Sequence, residues 1–157
     1  GETGARNWPL DEADRRFLLN RYLRPEPRIA LRNALLAHAS AAMDVSDGLA
    51  IDASRMCASS GVHAHIDAST VPLSPAARRL KKTGAISTAM ILSGGDDYEV
   101  LAAIPPVFEQ AFLADAASGH VQVTRIGSVS QGEGLEIFDE NGKPLTLDRL
   151  GYDHFSS

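Results

Sequence analysis

The sequence predicts an α+β domain in which a mixed β-sheet is covered by helices. Helical and strand-like segments alternate along most of the chain, and two adjacent strand-like segments lie near its end. The chain has 157 residues, of which 44% are hydrophobic, so it is long enough to bury a core of its own. No apolar run approaches the roughly 18 residues that a membrane-spanning helix requires. These observations predict one compact domain of mixed structure.

Residues 1–28 are predicted to form a helix and a proline-containing strap that lead in from a preceding domain. Pro25 and Pro27 push the residues before them out of the helical conformation, so the strap is extended. The chain begins at Gly1 rather than at a methionine, which favours a fragment or a processed chain. Residues 29–157 are accordingly predicted to form a C-terminal α+β domain that binds substrate and metal.

Apolar residues at helical spacing indicate the helices. The helix expected over residues 47–59 places Leu49, Ala53 and Cys57 on one side, and Gly61 ends it as a C-terminal glycine cap. A proline in the first turn starts the last helix. Helices are therefore predicted at residues 11–23, 29–39, 47–59, 74–82 and 106–117.

Alternating or short apolar runs between turn residues indicate the strands. Residues 62–66, with the sequence Val-His-Ala-His-Ile, alternate as a half-buried strand does. The link at residues 132–134 and the Asn141-Gly142 turn predict a hairpin-like arrangement of the last strands. Strands are predicted at residues 41–45, 62–66, 98–104, 121–128 and 135–138.

Charge and cysteine content exclude several classes of partner. The net charge of −5 and the lack of a long basic run argue against binding to nucleic acid or to an anionic membrane. Cys57 is the only cysteine, so no intrachain disulfide can form, and a reducing cytoplasm is the expected location. Its place on an apolar helix side predicts a buried hydrophobic residue rather than a nucleophile.

The most informative stretch is Asp44-Val45-Ser46-Asp47-Gly48-Leu49, at the predicted junction of a strand and a helix. Asp44 and Ser46 share a strand face, and Asp47 falls in the first helical turn. Two carboxylates and a hydroxyl suit magnesium, and the free amides of the helix start suit a phosphate oxygen. The alternative is an ordinary helix cap, which explains Ser46 and Asp47 but not Asp44.

A second acidic stretch, Ser93-Gly94-Gly95-Asp96-Asp97-Tyr98-Glu99, precedes another predicted strand. Its alternative interpretation is a surface turn, because glycine pairs are common in turns. Since both stretches lie beside strands, we expect them to share one edge of the sheet. His63 and His65 share a strand face but have no third ligand spaced nearby. The aromatic tail around Tyr152 predicts docking against core, partner or ligand.

Together with Ile126-Gly127 and Gly151-Tyr152-Asp153-His154-Phe155, the two acidic stretches resemble those of thiamine-monophosphate kinases. The resemblance covers almost the whole chain but only the C-terminal half of that family's protein. The two stretches alone also fit the wider superfamily of aminoimidazole ribonucleotide synthetase and selenophosphate synthetase. The implied fold is the C-terminal α+β domain of these synthetase-related proteins.

The resemblance implies ATP-dependent phosphorylation of thiamine phosphate to thiamine diphosphate, by in-line transfer with several magnesium ions. Asp44 and Asp47 would be magnesium ligands, and Ser46 would contact ATP. Asp96 stands where the family has a glutamate that contacts the substrate, and Tyr152 would pack against the thiamine rings. The attacking group is a phosphate oxyanion, so no residue is assigned as general base.

The resemblance also implies that an N-terminal domain supplies further magnesium ligands, most of the nucleotide site and a homodimer contact. We therefore expect this chain to be inactive alone and the full-length protein to be a dimer. Two alternatives stay open at this point. One is that the chain is a domain of another ATP-dependent synthetase of the superfamily. The other is that it is a non-catalytic binding domain.

Overall fold

The structure is a computed structural model that describes residues 8–95 and 98–145. Helices and strands are interspersed along these ranges, and two short 3-10 turns, at Ile29–Leu31 and Pro106–Phe108, lead into helices. The elements are α1 (Glu12–Leu23), α2 (Arg32–His38), β1 (Ala41–Val45), α3 (Leu49–Ser60), β2 (Val62–Asp67), α4 (Pro75–Lys82), α5 (Thr88–Leu92), β3 (Glu99–Ala103), α6 (Glu109–Ser118), β4 (Gly127–Gln131) and β5 (Gly134–Phe138).

The strands form two sheets rather than the one that was expected. Strands β1 and β3 pair antiparallel, with Ala41 opposite Ala103 and Val45 opposite Glu99. The other sheet has the order β4-β2-β5, in which β2 is antiparallel to β4 and parallel to β5. The predicted α+β class with mixed pairing and flanking helices is confirmed.

The predicted hairpin between the last two strands is wrong, because β4 and β5 lie on opposite sides of β2. Gln131 lies opposite Val62, and Gly134 lies opposite the next residue, His63. The link between them has positive φ at Gly132 (124°) and Gly134 (110°), where side chains are strained. The glycines therefore carry the chain around the start of β2 instead of folding it back on itself.

Two further element boundaries differ from expectation. The strand predicted at residues 121–128 begins only at Gly127, because its partner β2 ends at Asp67 and offers no pairing beyond that point. Helix α5 was not predicted, since five residues are too few to show a helical period. Ser87 starts α5 by accepting a hydrogen bond from the amide of Met90 at 3.1 Å.

One hydrophobic cluster joins α3 to strands of both sheets. The α3 residues pack with Val45 of β1, Ile66 of β2 and Ile137 of β5, so the cluster fixes the two sheets relative to each other. Cys57 is buried, as predicted, and burial raises the pKa of its thiol. In the described residues, no helix is long and apolar enough to span a membrane.

Helix α1 and the strap after it are tied to the rest of the molecule by charged groups. The Asp14 carboxylate is buried and accepts from the guanidinium of Arg79 in α4, with an Nε–Oδ2 distance of 2.8 Å. Arg28, at the end of the strap, bonds Glu99 at the start of β3. A domain boundary at residue 28 stays a prediction.

Candidate functional site

The first acidic stretch forms an elbow between β1 and α3. Asp44 and Ser46 are exposed and Val45 between them is buried, as the alternation of a strand requires. Asp47 is also exposed and lies in the loop, because α3 begins two residues later than predicted, at Leu49. Both carboxylates and the hydroxyl are thus presented to solvent around one turn of chain.

The second stretch lies directly beside this elbow. Its strand, β3, pairs with β1 so that Glu99 lies opposite Val45 and Val100 lies opposite Asp44. Antiparallel pairing therefore brings the end of β1 and the start of β3 to the same edge. For the described residues of the second stretch, the expectation that the two acidic stretches share one sheet edge is confirmed.

Glycines let the two stretches pack backbone to backbone. A Cβ atom on Gly48 would lie 2.9 Å from the carbonyl oxygen of Gly94. A Cβ atom on Gly95 would lie 2.7 Å from the carbonyl oxygen of Ser46. Both distances are shorter than real Cβ contacts, and Gly48 also has a φ of 121°, which disfavours any side chain. Neither loop can move by much without displacing the other.

Asp52 is a residue of this site that the sequence analysis missed. It is fully buried, and its Oδ2 accepts hydrogen bonds from the backbone amides of Ser46 and Asp47, each at 2.9 Å. The signal that could have revealed it is its position: it follows Leu49 by three residues and so lies on the apolar side of α3. A carboxylate there requires hydrogen-bond donors.

Arg55 connects this buried carboxylate with an exposed one. Its Nη1 contacts the Asp47 carboxylate and also lies 3.2 Å from Oδ1 of Asp52. The hydrogen bond to Asp47 is the largest cause that raises the pKa of Arg55, so its guanidinium stays charged. The arginine therefore restrains the side chain of one predicted metal ligand.

Glu99 of the second stretch holds the strap against the site. Arg28 donates to both of its carboxylate oxygens, from Nε at 2.9 Å and from Nη2 at 2.5 Å. Arg21 of α1 donates to Oε1 at 2.9 Å. The hydrogen bond to Glu99 is the main cause that raises the pKa of Arg28. Glu99 is thus engaged by two arginines far away in the sequence.

Of the predicted site residues, the structure brings Asp44, Ser46 and Asp47 together in one elbow. Asp96 and Tyr152, the predicted substrate contacts, lie outside the described residues. His63 does not meet a set of metal ligands in the described ranges; its Nε2 lies 3.7 Å from Glu136.

A cleft of about 340 Å³ lies away from the elbow, at the three-stranded sheet. His65 stacks on Phe138 there, with ring centroids 4.4 Å apart. The two aspartates that line it serve their own turns: Asp67 accepts from the amide and hydroxyl of Ser69, and Asp139 accepts from backbone amides that follow it. Both carboxylates are thus engaged within their own turns.

The donor chemistry of the elbow fits magnesium in part. Asp44 and Asp47 offer hard carboxylate oxygens, and magnesium in phosphate sites uses one or two carboxylates beside water and phosphate oxygens. Within residues 8–95 and 98–145, no three His, Cys, Asp or Glu side chains form a group that could hold a metal ion. A magnesium ion at the elbow would therefore also need phosphate or other groups as ligands.

Comparison with known proteins places these features in a family context. The family model described as "AIR synthase related protein, C-terminal domain" matches residues 4–140. The thiamine-monophosphate kinase of Caulobacter vibrioides is 42% identical over 143 residues. That match covers 87% of this chain and 40% of the relative, so the chain spans less than half the length of that kinase.

Solved structures agree in fold. The thiamine-monophosphate kinase from Stenotrophomonas maltophilia K279a superposes with a TM-score of 0.74 at 38% identity. A second structure, described as "AaThiL complexed with AMPPCP and TMP", gives a TM-score of 0.71 at 30% identity. Each match covers 87% of this chain and 42% or 41%, respectively, of the other.

Proposed function

This chain belongs to the AIR synthase-related C-terminal domain family, and we propose that it is the C-terminal half of an ATP-dependent thiamine-phosphate kinase. The observation that carries the proposal is the shared edge, where the exposed carboxylates of Asp44 and Asp47 lie beside the second acidic stretch. The relatives named thiamine-monophosphate kinase, one of them in complex with AMPPCP and TMP, support this substrate pair.

The remainder of the active site is proposed to come from an N-terminal domain of the same polypeptide. The chain spans about 40% of the Caulobacter relative, which leaves room for such a domain. We infer that the chain by itself does not catalyse the reaction, because the described part offers only part of a metal site. The full-length protein is proposed to be a homodimer in the cytoplasm, a reducing location that the single cysteine of this chain fits.

Asp44 and Asp47 are proposed to bind magnesium, and Ser46 is proposed to contact ATP. Their side chains are exposed at the elbow, and Asp52 holds the loop backbone by accepting hydrogen bonds from the amides of Ser46 and Asp47. Several magnesium ions, when bound, would neutralise the charge of the phosphate groups in the transition state. The protein's own contribution is then to keep these oxygen ligands at fixed positions.

Asp96 and Tyr152 are proposed to contact thiamine phosphate. Asp96 directly follows Gly95, whose backbone packs on Ser46, so the second stretch starts out close to the proposed nucleotide contact. Tyr152 offers a flat ring for stacking against a heteroaromatic substrate.

The proposed reaction is a direct phosphoryl transfer. A phosphate oxygen of thiamine phosphate bonds to the γ-phosphorus of ATP, the bond to the β–γ bridging oxygen breaks, and ADP leaves with that electron pair. The attacking oxygen is already anionic, so no side chain has to remove a proton. The residues of the elbow therefore act by binding and orientation rather than by acid–base chemistry.

The proposal is tested in the full-length protein, meaning the natural gene product that contains this chain. ATP-dependent formation of thiamine diphosphate is measured for the wild type and for Asp47→Asn. We expect kcat/KM to fall by about 100-fold or more in the variant, because a group that stabilises transition-state charge is lost. Phosphorylation of thiamine phosphate should require magnesium.

Asp115→Asn is the matched control. Its side chain is 57% exposed against 50% for Asp47, and each carboxylate is paired with a basic side chain, His38 or Arg55. The control should retain wild-type activity. A wild type that forms no thiamine diphosphate would overturn the kinase assignment, and an active Asp47→Asn variant would overturn the metal role of Asp47.

A further inference from the structure

We propose that Asp52 is a positioning residue, which holds the loop that presents Ser46 and Asp47 to the nucleotide and magnesium. The role deepens the proposed function and rests on it, because it concerns the same elbow. Asp52 itself is fully buried and is not exposed to solvent. It acts through the two residues whose backbone amides it binds.

The hydrogen bonds of Asp52 serve the loop rather than the helix. The N-cap of α3 is Gly48, and Asp52 already donates its own amide to the Gly48 carbonyl at 3.0 Å, as a helical residue does. Its carboxylate reaches back past this cap to the amides of Asp47 and Ser46. A capping side chain would bond amides of the first helical turn instead. Asp52 therefore fixes peptide groups outside the helix.

The loop is held from its other side by the second acidic stretch. A Cβ atom on Gly95 would lie only 2.7 Å from the carbonyl oxygen of Ser46 and would clash with it. The amide of the same residue is bound by Asp52. Ser46 is thus confined by the Asp52 carboxylate at its amide and by the Gly95 backbone at its carbonyl group. Confinement of this kind keeps a residue that contacts a bound molecule in a single position.

Arg55 extends the restraint from the backbone to a side chain. It bonds Oδ1 of Asp52 and the carboxylate of Asp47 at once. Asp52 therefore restrains Asp47 in two ways, directly through its amide and indirectly through the arginine. Groups that orient metal ligands in this manner affect metal affinity and activity by about 10–100-fold when they are replaced.

The test compares Asp52→Asn with Asp14→Asn in the full-length protein. The two residues are the buried charged side chains of the described ranges, with exposures of 0% and 5%, and each is paired with an arginine. Asp14 joins α1 to α4 and has no contact with the elbow among its recorded bonds. Both substitutions remove a buried carboxylate, so both should lower Tm.

Only Asp52→Asn should change the site. We expect kcat to fall by about 10–100-fold and the magnesium concentration for half-maximal activity to rise. The amides of Ser46 and Asp47 should exchange their hydrogens at least about tenfold faster than in the wild type, because their acceptor is weakened. Asp14→Asn should leave kcat, the magnesium requirement and these two exchange rates unchanged.

Several outcomes would overturn the role of Asp52. One is wild-type kcat and magnesium requirement in Asp52→Asn; another is an equal loss of kcat in Asp14→Asn. A third needs no variant: fast exchange of the Ser46 and Asp47 amides in the wild type would show that Asp52 does not hold them. This measurement covers the case in which Asp52→Asn fails to fold. Protected amides in a wild type without kinase activity would support the role of Asp52 and overturn the proposed reaction instead.

Discussion

Asp14 and Asp52 are alike in residue type, burial and arginine partner, yet one connects two helices and the other holds a loop. Asp14 accepts from Arg79 and links the side chains of two helices, α1 and α4. Asp52 accepts from two backbone amides of a loop as well as from Arg55. The first carboxylate is neutralised by one flexible, half-exposed side chain, and the second is held mainly by peptide groups.

The difference separates a carboxylate that stabilises the fold from one that stabilises a site. A side-chain bond between helices can adjust when either helix shifts, because an arginine has many rotamers. Peptide amides have no such freedom, so a carboxylate that binds two of them defines the path of the loop. Burial by itself therefore does not reveal function; the identity of the donors does.

Among the substitutions that probe this comparison, Gly95→Ala is expected to have the largest effect, because it would move Ser46 without altering Asp52. The new Cβ atom would lie 2.7 Å from the Ser46 carbonyl oxygen, so one loop must shift. A displacement of about 1 Å in positioned groups costs about 100-fold in rate, and we expect kcat/KM to fall to that extent. Steady-state kinetics of the full-length protein measure it.

Gly119→Ala is the control for this substitution. Neither glycine lies in the positive-φ region, and a Cβ atom on Gly119 would lie 3.4 Å from its nearest neighbour, Ala30. Its kcat/KM should stay close to that of the wild type. If Gly95→Ala were fully active, the position of Ser46 would not matter, and the distinction between Asp52 and Asp14 would lose its functional meaning.

Replacing the two arginine partners is expected to have a smaller effect, in which the order of the Tm losses is the opposite of the order of the activity losses. Arg79→Ala would leave the Asp14 carboxylate buried without the only donor recorded for it in the described residues, so Tm should fall strongly. Arg55→Ala would leave Asp52 with two amide donors, and Tm should fall less. Activity should follow the opposite order, with about a tenfold loss for Arg55→Ala and none for Arg79→Ala.

Thermal unfolding and kinetics on the same two preparations decide this point. Each variant serves as the control for the other, since both replace a half-exposed arginine bonded to a buried aspartate. Equal changes of Tm and of activity in the two variants would contradict the separation of a fold carboxylate from a site carboxylate.

The smallest effect concerns the partly buried aspartates Asp67 and Asp139, which extend the comparison to carboxylates in turns. A hydrogen bond from the Ser69 hydroxyl is the main cause that lowers the pKa of Asp67, and one from the Lys143 amide lowers the pKa of Asp139. Their stabilising effect is therefore complete above the ordinary aspartate pKa of 3.8 and is lost as the pH falls through the lower folded-state value.

Replacing both aspartates by asparagine should flatten the acid limb of the stability curve slightly. Urea unfolding at a series of pH values from about 5 downward measures this change. A double variant whose stability falls as steeply with acid as that of the wild type would show that these turns contribute nothing to acid unfolding.

Local patterns were sufficient to predict most elements and half of the candidate site. The alternation of residues 62–66 and the glycine cap at Gly61 mark β2 and the end of α3, because neighbouring residues determine both. The elbow residues Asp44, Ser46 and Asp47 stood out because an acid ending an apolar strand has no local explanation. Periodicity could not predict α5, which is too short, or the passage of the chain around β2.

Asp52 shows most clearly where prediction from the sequence ends. Its chemical type and helix position can be read from the chain, but its two acceptor bonds depend on how the loop folds back over the first turn of α3. The same holds for Gly95, which looks like an ordinary turn glycine until the backbone of Ser46 is placed against it.

The amino-acid order alone determined the α+β class, the two acidic stretches and the side chains available to a phosphate and magnesium site. These depend on short-range periodicity and on residue chemistry. Only the tertiary structure decided that β1 and β3 pair, that the two stretches interlock through Gly48 and Gly95, and that Asp52 holds the loop between them. The physical reason is that the strand pairing and the glycine contacts join residues far apart in the chain, whereas the Asp52 bonds depend on the path of the loop, and backbone groups, which carry little sequence-specific signal, take part in all of these contacts.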